Sequence, residues 1–268
     1  MATDGLYAYG LVDKSAACLD VLGIDKTHKI YPVGGKVLCV MVSKIDVEQF
    51  KIQVKQVFSA FAITMGEAQT ATAELLQAHE DVVAALMKDA TVVPFSFGTI
   101  LKDELAASKM LRDDEGKFAK LLAKFVGREE WGLKVYADQQ QLMQQMMQSE
   151  PEFKSLQEKR DTLSRGAAYL LGRKMEEAVK DNAAARLAEL SERIFHALTK
   201  EAYEAKLNKT LPQKLTGKAQ EMILNAVYLV EREKAARFCE HGTRLQKQYA
   251  SMGLDLQVSG PWPPYNFT

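Results

Sequence analysis

Glu129–Ala137 reads EEWGLKVYA, and its alternation decides how the chain is divided. Trp131, Leu133, Val135 and Ala137 fall on one side and Gly132, Lys134 and Tyr136 on the other, the period of a half-buried strand. Just before it stands Gly127, where a preceding helix would need a residue able to take up left-handed backbone. This spacing predicts a boundary near Gly127, with an N-terminal domain over residues 1–127 and a C-terminal domain over 128–268.

Downstream of that strand, residues 139–148 (QQQLMQQMMQ) predict a short helix with Leu142, Met143, Met146 and Met147 on one face. Glu152–Leu207 reads as a long charged helical region, about 150–208, in which Leu156, Leu163 and Leu170 recur every seven residues, as do Leu187 and Ile194. Gly166 and Gly172 interrupt it and favour close packing or a bend over a straight rod. Met222–Val230 (MILNAVYLV) is a strongly apolar strand. A helix over Glu231–Met252 and a last strand over Leu254–Val258 follow, and the chain closes on GPWPPYNFT. Strand, helices, strand, helix, strand is close to a ferredoxin-like sandwich with one irregular or missing strand.

Upstream, Leu6–Val12 and Val37–Ile45 read as strands. A run over Thr27–Tyr31 leads into Gly34-Gly35, a hairpin signal. Asp46 is placed to cap a helix carrying Phe50, Val54, Val57, Phe58 and Phe61. A second helix over Glu67–Lys88 carries Leu75, Leu76, Val82, Val83, Leu86 and Met87. Thr91–Ile100 (TVVPFSFGTI) reads as an edge segment, because Pro94 lacks a backbone donor. Asp103–Val126 is helical with a break at Arg112–Gly116. The fold class expected is α+β: an N-terminal α/β domain followed by a modified ferredoxin-like domain with an extended helical insertion.

Composition narrows the function. The 268 residues carry 35 basic and 35 acidic side chains, so the formal net charge is zero. That argues against a general nucleic-acid binder, which needs a basic excess. Residues 1–148 hold 16 basic and 19 acidic side chains, too mild an asymmetry to name a partner. The most apolar stretch, residues 37–42, is strand-sized and far too short for a membrane span. The opening residues show no signal peptide. Cys18, Cys39 and Cys239 are scattered, as free thiols in a reducing cytoplasm would be.

No nucleophile, base and oxyanion stabiliser assemble along the sequence, so no catalytic residue, cofactor or metal is expected. His79 sits beside Glu80 and Asp81, but the helix gives it no further ligand, and it reads as a solvated or capping residue. The candidate contacts for a protein partner are Pro94, Phe95 and Phe97 of the edge segment, Met143 and Met147, and Trp262 and Tyr265. Methionine suits an adaptable apolar surface, although a Met face also serves as core. The proline-rich ending predicts polyproline II geometry in which Trp262 and Tyr265 share a face. The tail either presents that face or folds back onto its own domain.

Six sets of residues occur in order: Tyr7-Ala-Tyr9-Gly10; His79 with Val82-Val83; Val93-Pro94-Phe95-Ser96-Phe97-Gly98-Thr99; Gly166 with Tyr169-Leu170-Leu171; Asn225-Ala-Val-Tyr228-Leu229-Val230; and Gly260-Pro-Trp-Pro-Pro-Tyr-Asn-Phe267. With them the sequence resembles the gas vesicle protein F/L family over nearly its whole length. It departs from the family at Ser96, where members commonly carry Arg. The resemblance implies a non-enzymatic accessory protein of gas vesicles. Its expected partners are the main gas vesicle shell protein and other accessory gas vesicle proteins, with neither nucleic acid nor membrane, and its expected place is the cytoplasm beside the vesicle. The implied role is binding of the shell protein in support of nucleation and assembly; exposed strand edges and apolar faces of unassembled shell monomers add the expectation that the chain prevents their aggregation. Two other classes remain open from the residues alone: a ferredoxin-like small-molecule-binding sensor or enzyme, and a self-assembling scaffold built on the long helical region.

Overall fold

The computed structural model describes residues 4–13, 20–34, 38–61 and 67–268, and side chains for all of these except 56–61 and 67–73. Cys18, Gly35 and Val37 lie outside that description, as do the side chains of Val57, Phe58 and Phe61. The chain is a mixed helix-and-sheet protein that divides into two compact units, Met1–Glu129 with Trp262–Thr268, and Glu130–Pro261.

In the first unit, β1 (Asp4–Asp13), β2 (Tyr31–Gly34) and β3 (Leu38–Asp46) form an antiparallel sheet in the order β2-β3-β1, continued by β4 (Val92–Pro94). A short β5 (Ile100–Leu101) pairs with β1 as well. The expected Thr91–Ile100 segment is thus two short strands with a turn between them. Pro94 lies on the last strand in the order, where its missing donor costs no ladder bond. The predicted strand at Thr27–Tyr31 begins only at Tyr31, because the Asp25 carboxylate accepts from the Thr27 and His28 amides and holds 25–28 as a turn.

All eight residues between the ends of β1 are buried, so both faces of this strand are covered. Asp46 caps α1 (Val47–Phe61) as expected, its carboxylate accepting from the Glu48 and Gln49 amides. In α2 (Glu67–Asp89), Val82, Val83 and Leu86 are buried, whereas Leu76 is exposed. The break inside the next helical stretch is real: α3 (Glu104–Asp113) is capped by Asp103, and α4 (Glu115–Phe125) starts after Asp114. Gly127 follows with φ +67°, the left-handed backbone its position demanded.

In the second unit, β6 (Arg128–Ala137) leads through α5 (Gln139–Ser149), α6 (Pro151–Asp161) and α7 (Arg165–Thr199) to β7 (Glu204–Leu207). A single turn, α8 (Gln213–Thr216), precedes β8 (Glu221–Glu231), and α9 (Ala235–Tyr249) joins it to β9 (Leu254–Trp262). The sheet order is β7-β8-β6-β9. The helical region therefore ends at Thr199 and not at Leu207. Glu204–Leu207 has helix-forming residue types, yet it pairs antiparallel with Ala226–Leu229 of β8. Here a tertiary partner overrides local propensity.

The core of this unit packs Leu133, Val135 and Ala137 of β6 and alternate residues of β8 against α7 and α9. Val179, Ala183, Leu187, Leu190, Ile194 and Leu198 form the buried stripe of α7. Of the earlier leucine series, Leu156 packs half-buried against this core, whereas the other two do not. The helix is broken between Asp161 and Arg165, so Leu163 sits in a turn, and Leu163 and Leu170 are exposed.

Candidate functional site

Four of the sequence motifs meet inside the first unit, and the point where they meet is His79. Tyr7 and Tyr9 reach it from β1. Between Ala8 and Gly10 the β1–β3 register slips by one residue, so Tyr9 is the extra residue of a bulge. The two phenol rings lie 5.0 Å apart at 52°. His79 comes from α2, Phe97 and Gly98 from the β4–β5 turn, and Tyr265 from the last residues of the chain.

The imidazole is 1% exposed and both its nitrogens are occupied. Tyr7 Oη lies 3.0 Å from Nδ1, and Tyr265 Oη lies 2.9 Å from Nε2 across 186 residues of sequence. The protonation pattern follows from the partners. The Gly98 amide donates to the Tyr7 hydroxyl at 2.9 Å, so the hydroxyl's own proton goes to Nδ1. Nε2 then carries the ring proton and donates to Tyr265, whose hydroxyl donates to the Glu80 carboxylate. Burial holds the neutral imidazole's pKa down at about 4, although the Phe95 carbonyl favours the protonated ring. Burial also pushes Tyr7 far above the usual phenol range and Tyr9 up to about 12. Glu80 is raised too, chiefly by its own burial.

Tyr9 is satisfied separately. It accepts from the Ile24 amide at 2.7 Å and shares a 2.8 Å bond with Ser43 Oγ. Gly23 makes this approach feasible: a Cβ there would stand 2.4 Å from Ser43 Oγ and 2.7 Å from Tyr9 Oη. Phe50 and Phe97 close the cluster around Tyr7, with ring centroids at 5.4 and 6.3 Å.

The sequence reading of His79 as solvated is overturned. The signal was present: Leu75, His79, Val82, Val83 and Leu86 share one helical stripe, so the histidine had to be buried and hydrogen-bonded. Among the described residues, no group of three or more His, Cys, Asp or Glu could hold a metal ion. Within the same residues, no helix is long and apolar enough to cross a membrane.

The predicted contact residues are dispersed. Pro94 is buried and Phe95 half-buried, and both line a shallow groove of about 450 Å³ with Val93, Met110, Leu121 and Thr268. Phe97 faces Tyr7, Phe50 and His79. Met143 and Met147 pack half-buried against the second unit's core. Gly260 to Trp262 continue β9 and are not polyproline II; Pro263 and Pro264 are buried, and Tyr265–Phe267 form a turn of 3₁₀ helix. Trp262 and Tyr265 therefore do not share one exposed face. Trp262 is 48% exposed, whereas Tyr265 turns to His79 and Phe267 is 2% exposed. Lys124 clamps the end, its Nζ donating to the Phe267 carbonyl at 3.2 Å and lying 5.5 Å from the ring centroid. At the position where the family commonly carries Arg, Ser96 is exposed, and its carbonyl accepts from the Thr99 amide and hydroxyl.

Residues 5–268 match the family model for gas vesicle synthesis protein GvpL/GvpF. The chain belongs to the GvpL/GvpF family. Among relatives of this family, gas vesicle protein F1 of Halobacterium salinarum is 26% identical over 99% of this chain and 93% of its own length. Gas vesicle protein L of Streptomyces sp. (strain CB03234) is 28% identical over 73% of this chain and 69% of its own length. The fold is that of GvpF: the crystal structure of GvpF from Anabaena sp. PCC7120 superposes with a TM-score of 0.69 over 98% of both chains at 22% identity. GvpF from Microcystis aeruginosa gives 0.66 with the same coverage at 20% identity.

Proposed function

We propose that this GvpL/GvpF chain binds the main gas vesicle shell protein and supports nucleation and assembly by keeping that protein from aggregating. A protein that builds a wall by repetition carries apolar surface and strand edges before it is incorporated, and both drive aggregation. The observation that carries the reading is the groove beside β4. It runs along the terminal strand of the first unit's sheet and is lined by Val93, Pro94, Phe95, Met110 and Leu121. An extended apolar segment of a shell monomer fits such a groove. Trp262 adds an exposed aromatic surface. Phe97 and Tyr265 act indirectly, by holding the turn and the tail in place. In this reading the chain works in the cytoplasm beside the growing vesicle, with other accessory gas vesicle proteins as further partners, and performs no covalent chemistry.

Co-expression with the shell protein tests it. Wild type keeps shell protein in the supernatant after centrifugation. Phe95→Asp and Leu121→Lys lose that effect while their melting transitions stay cooperative. A shell protein equally insoluble with and without wild type ends the proposal, and unimpaired groove variants move the contact elsewhere.

A further inference from the structure

The α6–α7 corner of the second unit lies far in sequence from the groove beside β4 and has its own surface chemistry. On the first turns of α7, residues 166, 169, 170, 173 and 174 share one face by helical spacing. Tyr169 is 68% exposed and Leu170 64% exposed, and Leu163 is exposed in the turn just before them. Two large apolar side chains thus meet solvent on a helix whose later turns bury theirs in the core, and a third stands just before it.

Gly166 stands one turn before this pair. A Cβ added there would meet nothing within 4 Å. The fold itself therefore makes no use of the missing side chain, although glycine is a poor helix former. A gap of this kind beside exposed Tyr and Leu suits the close approach of a helix from another molecule.

Charge specifies the visitor. Residues 154–174 carry six basic side chains (Lys154, Lys159, Arg160, Arg165, Arg173, Lys174) against two acidic ones (Glu158, Asp161), and the acidic pair Glu176 and Glu177 follows on the next turn of the helix. Arg160 lies 3.6 Å from Asp161. Arg165, Arg173 and Lys174 are exposed and have no acidic partner among the described residues. The first turn of α7 contains no acidic residue, and Ser164 makes no side-chain cap bond, so the positive end of the helix dipole is left uncompensated on the same corner. A second copy docking about a two-fold axis at Gly166 would bring Arg165 against Arg165, a like-charge contact that works against self-association at this face.

We propose that the Gly166–Tyr169–Leu170 face, rimmed by Arg165, Arg173 and Lys174, docks an acidic amphipathic helix of a different protein. The visiting helix crosses at Gly166, sets its apolar stripe on Tyr169 and Leu170, and presents carboxylates to the three cations.

The test uses the full chain and each of the other gas vesicle proteins of the same organism, purified singly. A photo-crosslinking residue in place of Tyr169 maps any contact, and affinity is measured at low and at raised salt. At least one partner is expected to cross-link through an acidic amphipathic helix. Gly166→Leu is expected to weaken it at least tenfold while raising the melting temperature, because the added side chain fills open space and favours the helix. Arg173→Glu with Lys174→Glu is expected to weaken it at low salt and to flatten the salt dependence. The proposal is overturned if none of these proteins binds, if Gly166→Leu binds like wild type, or if the cross-linked segment is basic or belongs to a second copy. The groove variants Phe95→Asp and Leu121→Lys bind this partner normally, so the two proposals stand or fall separately.

Discussion

In the first unit, Tyr7, Tyr9, Ser43 and His79 are buried together, and each polar atom finds a partner. In the second unit, Tyr228 is equally buried, but its hydroxyl makes only a long 3.4 Å bond to the Phe195 carbonyl, and its ring packs against Phe238 at 5.2 Å. One core is wired by hydrogen bonds that fix which residues meet. The other is held by packing volume. A wired core is sensitive to loss of a single atom, because the remaining partner is left buried and unsatisfied. A packed core responds in proportion to the volume removed.

The largest effect that would break this contrast is expected in the packed core. Phe238→Ala should cost about 3–5 kcal/mol in denaturant unfolding; a loss below about 1 kcal/mol would show that the second unit is not held by packing. Next comes His79→Ala, at about 2–4 kcal/mol, since it leaves a cavity and strips partners from Tyr7 and Tyr265. His79→Gln, which keeps hydrogen-bonding capacity, should lose clearly less. If Gln and Ala behave alike, the bonds contribute little.

Acid should separate the units. His79 is held neutral in the folded chain down to about 4 and takes up its proton near its ordinary value of 6.5 when unfolded. The unfolded state therefore binds more protons between these values. The contribution is complete above about pH 6.5 and is lost as pH falls toward 4. Unfolding followed at Tyr7–Tyr9 should track that window, and His79→Gln should flatten it. Tyr265→Phe removes one hydroxyl and should cost about 1 kcal/mol. Trp262→Ala, at a half-exposed side chain, should change stability by less than about 0.5 kcal/mol. A larger loss would make Trp262 a structural residue, not a surface for a partner.

Much of the frame was legible because it rests on local rules. The alternation at Glu129–Ala137, the Asp46 cap, the Gly127 terminus and Pro94 on a terminal strand all follow from neighbours in sequence. What escaped depends on distant partners. Glu204–Leu207 looks helical until β8 offers it a ladder. The seven-residue leucine series looked continuous until the turn after Asp161 rotated Leu163 and Leu170 out to solvent. Proline geometry alone predicts an extended tail, but strand pairing claims Gly260–Trp262 and His79 claims Tyr265. His79 was the site residue most open to prediction, since an apolar stripe cannot carry a solvated imidazole.

The bond between His79 and Tyr265 also sets a schedule. At about 5–20 residues per second, the ribosome makes Tyr265 roughly 10–40 s after His79. Throughout that interval the first unit holds a histidine nitrogen with no tyrosine to receive its proton, while residues 130–261 complete their own core. The N-terminal unit, made before the second, is thus finished after it, and any encounter that depends on its finished surface waits until Tyr265 has been made.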